Sequence, residues 1–430
     1  MKKKTLAIIT LGCSKNTVDS ENLATKLQKK FNIVYNEDPN ADIVAINTCG
    51  FILDAKQESI DTILQYAEMK RQGYIEKLFV FGCLSQRYKK DLEKEIPETD
   101  EFFGVDNLND IIKRLDCNDY ENQTRKLSTP KHYAYIKIAE GCNRMCAFCA
   151  IPYIRGRYKS RKIEDIVNEV KKLADNGTRE FNLIAQDLSY YGKDIYNAYQ
   201  LPTLVDEIAK IENVHWIRLH YTYPNNFPME TLKIMRSNPK VCNYLDIPLQ
   251  HINDHVLEKM KRGHSKAETI ELINKFRQEI PGITLRTSLM VGFPGETPKA
   301  FDELLEFVEQ IKFDRLGVFT YSAEEGTYSA EHYADRISQK QKNARADKIM
   351  SIQQKISLQK NVEKIGSELE IIIDREENDF FVGRTQYDSP EVDCEVLVKK
   401  SDAPNWKIGN FYNAIITDAE EFDLYAKPKH

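Results

Sequence analysis

Short apolar runs alternate with amphipathic stretches over most of the chain. In residues 5–115 the runs TLAIITLGC, ADIVAINTCG and EKLFVFGC read as strands, with helical patterning from about Asp19, Asp54 and Gln86. Strands alternating with helices predict a parallel, doubly wound sheet. The polar stretch 118–131, rich in Asn, Thr, Ser and charge and carrying Pro130, reads as a linker. The alternation then resumes, with strand candidates YAYIKIAEGC, EFNLIAQD, HWIRLHYTY, YLDIPLQ, ITLRTSLMVG and RLGVFTYS. Six βα units predict an open, partial (β/α)6 barrel rather than a full eight-stranded one. A long polar helix from Ser338 to about Ile365 closes this part. Short alternating strands then predict a small all-β barrel of the OB type. The expected fold is α/β, with domains at 1–117, 132–363 and 364–430 and a linker at 118–131.

Composition adds exclusions. The 430 residues are 41% apolar and 30% charged, a globular profile. No run approaches the ~18 apolar residues of a membrane span, so no membrane partner is expected. Lys2, Lys3 and Lys4 precede the apolar run Leu6–Leu11, and Cys13 follows, as in a short lipoprotein signal. The run is shorter than the ~7–15 residues such signals use, and Leu11 is large where cleavage wants a small residue. A buried first strand and a cytoplasmic protein are the expectation. The formal charge of -5 argues against a generic nucleic-acid binder. That charge is uneven: Glu363 to His430 hold 16 acidic and 8 basic residues, a net of -8, which leaves +3 for the other 362.

The nine cysteines are too few for a disulfide scaffold. Cys142, Cys146 and Cys149 form C-x3-C-x2-C just after a predicted strand. Three thiolates at this spacing can hold three irons of a [4Fe–4S] cluster and leave one iron open to a small molecule. Zinc is the competing reading, but a structural zinc site wants a fourth protein ligand, and no nearby His or Cys supplies it. Cys13, Cys49 and Cys83 each end a predicted strand. In a parallel sheet all carboxyl ends share one edge, so these three should converge and hold a second cluster. Three small buried core residues are the alternative. Cys117, Cys242 and Cys394 have no ligand spacing and read as free thiols.

The C-x3-C-x2-C motif resembles the radical S-adenosylmethionine (SAM) superfamily, in which an aromatic residue precedes the last cysteine, here Phe148. With the N-terminal triplet and a TRAM-type terminal barrel, the whole chain resembles the methylthiotransferase family. The resemblance implies two [4Fe–4S] clusters, SAM as cofactor, and transfer of a methylthio group to an unactivated C–H. One branch of that family modifies adenosine in tRNA and more often starts GCQMN. The other modifies the β-carbon of an aspartate in a small-subunit ribosomal protein. LGCSKNTVDSE, INTCGFILDAKQESI, IKIAEGCN and FVGRTQYDSPEVD resemble the second branch, although Cys394 stands where a Gly is usual. The acidic terminal barrel points the same way, because an RNA-binding barrel should be basic, whereas an acidic one suits a basic ribosomal protein. tRNA is therefore not the expected partner. The sulfur source and electron donor are not indicated.

Gln186 and Asp187 end a barrel strand, where polar residues face the site, and are expected to hold the SAM amino group or ribose. By superfamily resemblance, Arg286, Gly292 and Gly295 are expected near the ribose and adenine. Arg286 could equally pair with a carboxylate. Arg155, Gly156, Arg157, Ser160 and Arg161 follow the triplet and read either as contacts to the SAM carboxylate or to an acidic group of the substrate, or as surface basicity between a loop and a helix. His220 and His251 read as structural.

Overall fold

In this computed structural model residues 3–36, 38, 41–117 and 123–429 are described. Three sheets carry the chain. The first is all parallel, in order β2-β1-β3-β4-β5, from β1 (Thr5–Thr10), β2 (Asn32–Tyr35), β3 (Ile43–Thr48), β4 (Lys77–Gly82) and β5 (Glu101–Phe102). Every residue of β3 is buried, as expected of a central strand covered on both faces. Its helices are α1 (Ser14–Leu27), α2 (Leu53–Arg71), α3 (Cys83–Glu95) and α4 (Leu108–Arg114). Apolar residues on the two faces form separate clusters, one led by Leu6, Ile8 and Phe79, the other by Val44, Ile46 and Val80.

The central sheet is also parallel. It contains β6 (Tyr133–Lys137), β9 (Glu180–Ile184), β10 (Trp216–Leu219), β11 (Val241–Asp246), β12 (Thr284–Val291) and β13 (Arg315–Thr320), in order β13-β12-β11-β10-β9-β6. Two short strands, β7 (Ala139–Glu140) and β8 (Lys159–Ser160), pair beside it, and α5 (Ile151–Arg155) lies between them in sequence. The expected six-stranded partial barrel is present. The helix Gln339–Val362 starts where patterning placed it, with Ser338 and Gln341 forming a capping box. The third sheet is a closed barrel, β14 (Glu368–Glu377), β15 (Phe380–Thr385), β16 (Glu395–Lys399), β18 (Asp423–Pro428) and β17 (Phe411–Ala419) in that order.

The terminal barrel docks on the starts of the central strands. Glu180, the first residue of β9, is fully buried between Arg384 (2.7 Å) and Arg218 (3.2 Å). Arg315, the first residue of β13, pairs with Asp388 at 2.5 Å. Trp216, the first of β10, meets Phe411 edge-on. The N-terminal domain docks at the other end. Lys56 and Arg87 reach Glu324, beyond the end of β13, at 2.7 and 3.2 Å. Of the proposed linker, residues 118–122 lie outside the described set. The remainder is pinned: Arg125 pairs with Glu21 and Glu169, and Lys126 donates its amide to Thr25.

Docking also changes the charge picture. Asp374, Asp388 and Asp393 of the acidic segment turn inward onto Arg384, Arg315 and Arg286, and Glu391 accepts from the hydroxyl of Tyr133. Four of the 16 terminal acids are thus engaged inside the molecule, and the free negative surface is smaller than the count of -8 suggested.

Candidate functional site

Cys13 caps α1, Cys49 follows β3 and Cys83 opens α3, so all three sit at carboxyl ends of adjacent strands. Glycines let their loops close together. A Cβ on Gly12 would fall 3.1 Å from the Cys49 sulfur, and one on Gly50 would fall 2.8 Å from the Cys83 carbonyl carbon. Burial pushes the Cys83 thiol up to about 11 and raises Cys49, while Arg155 opposes both shifts. A helix N-terminus and a guanidinium both favour thiolate, the form that ligates metal.

Cys142, Cys146 and Cys149 lie on the loop from β7 to α5. Burial pushes Cys142 up to about 12 and raises Cys149. Arg262 donates to the Cys146 sulfur at 3.3 Å, the Arg144 amide donates to Cys142 at 3.3 Å, and the Tyr223 hydroxyl lies 3.8 Å from Cys146. Among the described residues no three His, Cys, Asp or Glu groups converge on one ion position. The three thiols of each triplet are close enough to influence one another, on loops at one edge of their sheet.

A dense ionic network joins the two triplets. Asp19 of α1 pairs with Lys137 and with Arg155 (3.1 Å). Glu140 takes Lys137 at 2.6 Å and Arg155 at 3.0 Å, and Arg155 also donates to Asn16 at 2.6 Å. Burial alone would raise Glu140, yet Lys137 and Arg155 hold it down at about 2. Arg155 is therefore neither surface charge nor a free anion contact. It bolts α1 to the barrel beside the Cys13 triplet.

The expected SAM contacts separate into two groups. Gln186 and Asp187 do face the Cys142 loop. Gln186 donates to Glu140 at 2.9 Å and Asp187 takes Arg144 at 2.8 Å. Each keeps one buried oxygen without a partner, Gln186 Oε1 and Asp187 Oδ1, and the buried Tyr158 hydroxyl is likewise unpaired. Orphaned acceptors are what an incoming amino group or ribose hydroxyl would satisfy. Phe148 packs edge-on against Phe293 in the apolar cluster that also holds Cys146 and Tyr223. Arg286 is elsewhere. It lies near the start of β12, bound to Asp246 and Asp393 at 3.3 Å each, and so serves the docked barrel. Gly292 and Gly295 have steric reasons of their own, since a Cβ would meet Lys342 at 2.3 Å and Lys259 at 2.9 Å. His220 is buried against Ser389, and burial drives His251 down to about 3. Patterning missed Arg144, Tyr223 and Arg262. Arg144 lies inside the cysteine motif, whereas the other two reach it from distant loops.

Fold and site together define a radical SAM protein. The radical SAM superfamily matches residues 136–308, the uncharacterized protein family UPF0004 matches 5–104, and the TRAM domain matches 365–428. A solved cobalamin-binding radical SAM methyltransferase, TsrM from Kitasatospora setae, shares the fold at TM-score 0.54 and 14% identity, covering 76% of this chain and 77% of that one. The chain is 53% identical to the ribosomal protein uS12 methylthiotransferase RimO of Phocaeicola vulgatus, covering 99% of both. It is 52% identical to that of Bacteroides fragilis, over 99% of this chain and all of that one. The chain belongs to the RimO methylthiotransferase family.

Proposed function

We propose that the chain transfers a methylthio group to the β-carbon of an aspartate in ribosomal protein uS12, using SAM and [4Fe–4S] clusters. The observation that carries this reading is the pair of cysteine triplets on facing loops, locked together by Asp19, Glu140, Lys137 and Arg155. Cys142, Cys146 and Cys149 would hold the SAM-binding cluster, and Cys13, Cys49 and Cys83 the second. When bound, clusters and SAM supply the electron, the hydrogen-abstracting radical and the sulfur. The chain's own residues orient and shield: Gln186 and Asp187 offer acceptors to SAM, Arg262 donates to the Cys146 sulfur, and Phe148 and Phe293 keep that loop dry. Exposed acids such as Asp418 and Glu420 provide a second, salt-sensitive attraction for a basic protein at the terminal barrel. No described helix is long and apolar enough to cross a membrane.

Anaerobic reconstitution should give about eight irons per chain. Incubation with SAM, reductant and uS12 should add a methylthio mass to one uS12 aspartate and leave tRNA adenosine unchanged. Cys146→Ala should abolish 5′-deoxyadenosine formation, whereas Cys49→Ala should spare it and stop methylthiolation. Modified tRNA with unmodified uS12 would overturn the proposal.

A further inference from the structure

Lys15 stands out among the charged groups between the triplets. It lies on the first turn of α1, two residues past Cys13, and is only 7% exposed. Among the described residues its ammonium has no carboxylate partner. It rests on the face of Tyr221, 3.1 Å from the ring centroid. The ion pairs around it are made without it. Asp19 is held by Lys137 and Arg155, and Glu140 by the same two cations. Asp246 is held by Arg286 and by the Tyr221 amide. A ring face returns only part of the hydration that a buried ammonium gives up, so the Lys15 ammonium is left under-compensated.

Position gives that charge a direction. Tyr221 lies two residues past the end of β10, at the carboxyl ends of the strands, and adopts a left-handed backbone, φ 58°. Val18, one turn along α1, packs with Tyr133, Tyr135 and Ile184 of the barrel. Lys15 therefore lies where the N-terminal domain closes over the barrel, between the Cys13 loop and the strand ends. A carboxylate entering this gap would meet an ammonium that, among the described residues, no carboxylate contacts directly.

We propose that Lys15 binds the side-chain carboxylate of the target aspartate and selects it over neutral groups. This rests on the function proposed above and deepens it. Arg144 and Gln186 stand nearer the Cys142 loop and remain for SAM, whose own carboxylate is the rival occupant of Lys15.

The test compares uS12 with uS12 whose target aspartate is replaced by asparagine, using reconstituted holoenzyme. Wild type should prefer aspartate by about 100-fold in kcat/KM, the scale of a desolvated charge pair. Lys15→Met should collapse that preference to under about 5-fold, mainly by raising KM for the aspartate protein. Lys15→Arg should recover part of it, and the iron content of both variants should match wild type. An undiminished preference in Lys15→Met, or a loss of SAM affinity equal to the loss of uS12 turnover, would overturn the assignment. So would equal use of both proteins by wild type. A wild type that modifies neither protein would instead remove the functional reading on which the assignment stands.

Discussion

Glu180 is the anion at the centre of the contact between the central and terminal barrels. Its carboxylate is fully buried and takes two nitrogens of Arg384, at 2.7 and 3.1 Å, and one of Arg218 at 3.2 Å. Arg384 is also held by Asp374, and Arg218 by the carbonyls of Gln386 and Thr385. With Glu180 and Asp374 ionised the four groups sum to zero. Glu180→Gln keeps the volume and leaves one buried positive charge unmatched. Removing one partner of a buried pair costs about 3–5 kcal/mol, and the remaining Asp374 and carbonyls place this case near 3. At roughly 2–4 °C per kcal/mol for a domain of this size, the melting transition should fall by about 6–12 °C. Anaerobic calorimetry of the holoenzyme reads this directly. Proteolysis should open the junction after the helix Gln339–Val362 sooner than in wild type, and added salt should change the difference little because the groups are desolvated. A melting shift of under about 2 °C would show that this network does not hold the barrel in place.

Three further outcomes follow from the same geometry. Arg155→Met removes the guanidinium facing Cys49 and Cys83, so the N-terminal cluster should show a changed EPR spectrum and a more negative midpoint potential, with iron content retained. Arg262→Gln removes the charged donor to Cys146 and should shift the other cluster in the same sense and slow SAM cleavage; unchanged spectra would exclude this role. Burial opposes it, but Arg384 and His132 hold Asp374 at about 2, below its usual 3.8, so its stabilisation is present above pH ~4 and is lost as pH falls toward 2. Urea unfolding should therefore lose about 2 kcal/mol more between pH 5 and pH 2 in wild type than in Asp374→Asn.

The three sheets and the grouping of six cysteines on two loop clusters were legible because their signals are local. Strand-length apolar runs, the C-x3-C-x2-C spacing and a cysteine closing each run can all be read without knowing what packs where. The short edge strands β2 and β5 were not, having four and two residues and little pattern. Helix starts were read late, since Cys13 and Cys83 are themselves the cap and the first residue. Arg262 and Glu324 act across 116 and 237 positions of sequence, on Cys146 and Arg87, and no periodicity encodes such a partner. Arg286 shows the same limit from the other side. Its strand was placed correctly, but its direction depends on Asp393, which arrives from a different domain.

The two ends of the central barrel use charge differently. At the strand starts, the arginines of the slightly basic region meet the acids of the terminal segment, so the +3 and -8 of the sequence partly describe one internal contact. The loop between β15 and β16 threads this contact: Ser389 reaches His220, and Asp393 reaches Tyr244 and Arg286. It stops the barrel from below with groups that are already paired. At the strand ends, Asp19, Glu140, Lys137 and Arg155 close the contact with the N-terminal domain, but Lys15 is left over. At the strand starts the arginines are held by carboxylates of the terminal segment, whereas at the strand ends a buried ammonium lacks a direct carboxylate, so a carboxylate is received where the cysteines are. The terminal barrel docks at the strand starts, so the proposed attraction of a basic protein by its exposed acids would act away from the cysteine triplets. Neutralising Asp418 and Glu420 should therefore raise KM at low salt and leave kcat unchanged, whereas a change in kcat would place that face at the chemistry.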